Sequence, residues 1–131
     1  MTDLLSVKAA DNFRLARSGS IITPAAGTYY LIRLPQYAFV NEVWEFVTVA
    51  GDSDTIDIGF SGNGEVADAD YFLDSTYAVT SAIANFRASK DTVSGFAGKW
   101  FSAAGGMITM TVGTTQGTGI FIVFVQYTVI H

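Results

Sequence analysis

Thr55-Ile56-Asp57-Ile58-Gly59-Phe60 places an apolar side chain at every second position. Side chains of a strand alternate between two faces, so this stretch reads as a half-buried strand with Ile56, Ile58 and Phe60 inward. Gly51-Asp52-Ser53-Asp54 before it makes a turn, and Ser61-Gly62-Asn63-Gly64-Glu65 after it makes a loop.

The same texture extends in both directions. Ile21-Ile22, a turn over 24–27 and Thr28-Tyr29-Tyr30-Leu31-Ile32-Arg33-Leu34, ended by Pro35, read as strand, turn, strand. Residues 39–49 form the longest expected strand, with Phe39, Val43, Val47 and Val49 on one face and Val40, Trp44 and Phe46 on the other. Both faces are largely apolar, whereas a two-layer sandwich needs only one such face, so the second meets another subunit or a loop of the same chain. Residues 68–74 read as a helical turn or a strap packing Phe72 and Leu73 across a sandwich end, and 76–94 are ambiguous, with room for short strands. Strands over 98–101, 107–112 and 120–129, separated by Gly-rich turns, complete the domain.

Many short strands without a long helix imply an all-β fold, a jelly-roll-like antiparallel β-sandwich over residues 19–131. Residues 1–18 lack alternation and carry Lys8, Arg14 and Arg17 against Asp3 and Asp11, which reads as a short, slightly basic N-terminal arm. At 131 residues the chain suits one domain able to bury a sizeable core without disulfide or metal. The N-terminus has no apolar run of the length an export signal needs, and residues 119–130 are too short and too β-branched for a spanning helix.

Composition bears on function. Charged residues are 15% of the chain and hydrophobic ones 50%, against a usual charged share of about 25%. A small particle with so few ions is expected to be partly covered, by copies of itself or by a larger assembly. Nine of the twelve acids fall within 42–74, and no Lys or Arg occurs between Arg33 and Arg87. That negative field argues against nucleic acid as a partner, because phosphate contact needs a basic footprint.

The chemistry-bearing residues point away from catalysis. The chain has no cysteine, which excludes thiol centres, and its single histidine, His131, is the last residue of this sequence, so an imidazole centre would have to rely on a chain end that usually frays. The glycine clusters lack the strand-loop-helix setting of a phosphate cradle. Among the carboxylates, Glu42, Glu45 and Asp57 are candidates for a glycosidase pair, but 42 and 45 fall on opposite faces of one strand. Glu65, Asp68, Asp70 and Asp74 are the candidates for a hard cation such as calcium, although solvated loop acids explain them more simply. Of the two tryptophans, Trp44 reads as core-like among apolar neighbours, and Trp100, near a turn, is the candidate for sugar stacking. No catalytic residue and no cofactor is expected.

The runs Phe46-Val47-Thr48-Val49-Ala50-Gly51-Asp52 and Ile56-Asp57-Ile58-Gly59, then Ala67-Asp68-Ala69-Asp70-Tyr71-Phe72, Ile108-Thr109-Met110-Thr111-Val112 and 119–127, resemble small jelly-roll structural proteins of tailed phages. The resemblance covers roughly residues 28–128, and the chain departs from it in a longer 76–102 region. It implies a non-enzymatic head decoration or cement protein on the virion surface, made in the host cytoplasm. It further implies many copies, trimers being a common form, bound to the major capsid protein. On that reading Val40, Trp44 and Phe46 form the subunit interface, and the arm with Lys8, Arg14 and Arg17 docks on the capsid or an acidic neighbour. A lectin-like carbohydrate-binding sandwich and a tail or fibre component are the alternatives.

Overall fold

The computed structural model describes residues 13–52, 56–74, 85–89 and 98–130. Ten strands follow one another: β1 (Phe13–Arg17), β2 (Ile21–Ile22), β3 (Gly27–Leu34), β4 (Ala38–Val49), β5 (Ile56–Gly62), β6 (Asp68–Leu73), β7 (Asn85–Ala88), β8 (Lys99–Phe101), β9 (Gly106–Val112) and β10 (Ile120–Val129). They build two antiparallel sheets. The first runs β1-β10-β4-β7, with β2 also on β10 and β8 also on β4; the second runs β3-β9-β5-β6. Counting β1 with β2 and β7 with β8, each sheet has four positions and the chain crosses between them repeatedly, which is the strand order of a jelly roll.

The core follows from period two. From the first sheet Val43, Val47, Phe121, Val123 and Val125 point inward, and from the second Leu34, Ile56, Ile58, Ile108 and Met110, all essentially solvent-free. Burying side chains of this size stabilises the fold by about 1.5–3 kcal/mol each relative to exposure. Phe72 and Leu73 are also fully buried. They belong to edge strand β6, not to a strap, and their adjacency is possible because β6 departs from regular pairing: Ile58 faces Leu73, yet Phe60 faces Asp68. The extra β6 residues lie over Gly59, where an added Cβ would collide with the Asp68 carbonyl and the Ala69 backbone.

β4 carries a second irregularity. Val40 pairs with Tyr127 and Glu42 with Gln126, so Asn41 is an extra residue opposite no partner. One inserted residue reverses the side-chain alternation. Val40 is therefore fully buried with Val43 and Val47, and not on the outer face with Trp44 and Phe46 as strict alternation predicts. Phe39 moves the other way, to the outer face, where it pairs with Trp100.

The boundary of the arm also shifts. Phe13–Arg17 pairs residue for residue with 124–128 of β10, so these five residues belong to the first sheet. Residues 1–12, with Lys8, lie outside the described residues, as do 76–84 and 90–94 of the ambiguous stretch.

Candidate functional site

The outer face of the first sheet is built by three neighbouring strands. Trp44 and Phe46 follow the bulge on β4, Ile122, Phe124 and Gln126 alternate with core residues on β10, and Leu15 stands opposite Gln126 on β1. Phe46 and Phe124 meet edge to face with ring centroids 5.2 Å apart, and the Arg17 guanidinium lies 5.5 Å from the Phe124 centroid. Leu15 is 67% exposed and Phe46 37%. Around them opens a shallow groove of about 460 Å³, lined by Arg14, Leu15, Trp44, Phe46, Phe124 and Gln126. An apolar hollow on the wet side of a sheet is costly to leave in water and suits a protein partner.

Of the expected contact residues, Trp44 and Phe46 are brought together here, with Trp44 half-buried and Val40 excluded by the bulge. Leu15, Phe124 and Gln126 were not singled out by sequence. Residues 120–125 are apolar at every position, and such a run does not reveal which half faces out.

The candidate glycosidase carboxylates are separated by the sandwich itself. Glu42 belongs to the outer face of the first sheet, opposite Gln126, while Glu45 is fully buried beneath it. Asp57 lies between Ile56 and Ile58, both fully buried, and so points away from the core on the second sheet. Three carboxylates in three layers cannot flank one bond.

The four expected cation ligands also divide. Glu65 accepts hydrogen bonds from the Lys99 ammonium at 2.9 and 3.1 Å and from Asn63 Nδ2, and this pairing, led by Lys99, holds its carboxyl below the usual range. Asn63, in a left-handed conformation, donates to the Trp100 carbonyl and accepts from the Ala103 and Ala104 amides. Glu65 thus belongs to a loop clamp with its own cation. Asp68 and Asp70 remain on β6, with Asp74 just after it. The Asp70 carboxyl is pushed up, first by its hydrogen bond with Asp68, then by burial and by the charges of Asp68, Asp74 and Asp57. Among the described residues no three acidic, histidine or cysteine side chains are placed to hold a metal ion.

A chain of the capsid asymmetric unit of cyanophage Pam1 superposes with a TM-score of 0.67 at 16% identity, over 91% of this chain and 86% of that one. A chain from the acid-stable capsid of Helicobacter pylori bacteriophage KHP30 gives a TM-score of 0.62 at 17% identity, over 88% and 86%. This chain shares their fold. No protein-family model and no curated protein sequence matches it.

Proposed function

We propose that this chain is a structural subunit of a tailed-phage virion, a head decoration or cement protein that acts by binding and carries no catalytic role. The observation that carries the reading is the apolar outer face of the first sheet, centred on Trp44, Phe46 and Phe124, beside a core already filled by the inner faces. Such a face is a cost to a solitary particle and a contact in a lattice. The fold shared with chains of two phage capsids, over about nine-tenths of this chain, supports a virion as the assembly.

On this reading the protein works as a homo-oligomer, with trimers a natural form, on the outer surface of the head. Its partner is the major capsid protein. The basic segment holding Lys8, Arg14 and Arg17 docks on an acidic surface of the capsid or of a neighbouring copy. Peptide mapping of purified virions tests this: recovery from heads in stoichiometric ratio to the capsid protein is expected, and absence from gradient-purified particles contradicts it. A carbohydrate-binding sandwich is the second reading, favoured by Trp100, half exposed on the outer face. Glycan binding lost on Trp100→Ala would support it.

A further inference from the structure

Among the described residues the edge strands on the two sides of the sandwich carry opposite charge. Among the described residues β1 is an edge strand of the first sheet and β3 an edge strand of the second. Only residues 23–26 connect β2 to β3, so the β1/β2 edge and β3 lie on the same side, since four residues span little more than the gap of about 10 Å between packed sheets. That flank holds Arg14 and Arg17 on β1 and Arg33 on β3, all exposed, and these strands contain no acid. On the far side the edge of the second sheet is β6, with Asp68 and Asp70, followed by Asp74 and backed by Asp57 on the adjacent β5. β7, the other edge on that side, brings Arg87 to the register position opposite the fully buried Glu45.

We propose that copies of this chain associate side by side and head to tail, the arginine flank of one against the β6 edge of the next, the neighbour covering the apolar groove beside β1. Taking the assembly reading above as its starting point, this identifies the acidic partner as a second copy of the same chain.

Three further features fit. The groove is continuous with the arginine flank, because Arg14 and Leu15 line it. The loop leading into β6 presents Val66, 91% exposed, as an apolar knob at the acidic edge. The β6 aspartates crowd one another enough to raise the Asp70 carboxyl, a strain that a neighbour's guanidinium relieves. The contact joins two different surfaces on opposite sides of the subunit, so it closes into a ring where the rotation permits. Opposite charges on the two surfaces favour that encounter.

Light scattering on the purified full chain at low and high salt tests the proposal with three variants: Arg14→Glu with Arg17→Glu, Asp68→Lys with Asp70→Lys, and all four together. Each pair is expected to weaken self-association by about tenfold or more, and the fourfold variant to return near the parent value, because opposite charges again face each other. The parent affinity should fall with added salt. Circular dichroism confirms folding, and Asp68→Asn with Asp70→Asn replaces the lysine pair if that pair unfolds.

A parent that stays monomeric, paired reversals without effect, or a folded fourfold variant that remains dissociated overturns the proposal. So does association that ignores these charges but disappears on deleting residues 1–12, which would assign the groove to the N-terminal segment. Association lost only in Trp44→Glu with Phe46→Glu removes the flank contact and leaves the decoration reading standing. Absence from virions removes the decoration reading and leaves the ring.

Discussion

The Lys99 ammonium stands 4.2 Å from the centroid of the Phe60 ring. Tyr71 and Phe101 approach the same ammonium at 5.0 and 5.6 Å, and Glu65 closes the shell at 2.9 Å. Lys99 is only 9% exposed. β8 and the β5–β6 loop are thereby fastened through a cation that the aromatic faces and one carboxylate stabilise together.

Replacing Lys99 by Met keeps the stem and removes the charge. The loss is expected to be about 1–2 kcal/mol, the scale of a desolvated cation–aromatic contact with its hydrogen bonds. Urea unfolding checks this, with a lowered midpoint and an unchanged slope.

The same clamp gives an acid limb to stability. The Glu65 carboxyl is lowered in the folded chain by Lys99 and Asn63. Its contribution is full above the unfolded carboxylate value and is lost as pH falls through the lower folded value. Asp70 acts in reverse: its raised carboxyl makes the ionised form unfavourable, and protonation relieves it as pH falls. Asp70→Asn is expected to stabilise the fold slightly at neutral pH, by less than about 1 kcal/mol given its exposure. Glu65→Gln is expected to remove the loss on the acid side. Melting curves between about pH 3 and 7 distinguish the two.

Gly59→Ala drives a methyl group into the β6 backbone. About 3 kcal/mol or more of destabilisation is expected, since no flexible side chain can yield there. Hydrogen exchange should localise the loosening to β6.

Val40 and Trp44 separate the two faces of β4. Val40→Ala opens the core and is expected to cost about 2 kcal/mol. Trp44→Ser is expected to change monomer stability less and self-association more, as seen by comparing unfolding with light scattering.

Much of this fold was legible. Ile56, Ile58 and Phe60 point inward as their spacing predicts, and β3, β4, β9 and β10 lie where the apolar runs place them. The departures have several physical origins. Asn41 and the extra residues of β6 are bulges marked by no glycine or proline of their own, and a single inserted residue reverses everything beyond it. Val40 was therefore assigned to the wrong face. Phe13–Arg17 looked like an arm because an edge strand with one buried side need not alternate clearly. Trp44 and Phe46, two of the six residues that line the groove, were readable from β4. Leu15 and Phe124 were not, since their place depends on which strands become neighbours. Glu65 looked like one of four loop acids because Lys99 is distant in sequence.

Under the proposed function, the face around Trp44 and Phe46 holds this protein in a virion. The direct measurement is occupancy of purified heads lacking the protein, titrated with the parent chain and with Trp44→Glu/Phe46→Glu, after both are shown to melt alike. Saturable binding by the parent and loss of most of it in the variant is the predicted result. Equal occupancy by both, or no binding by either, would contradict the account.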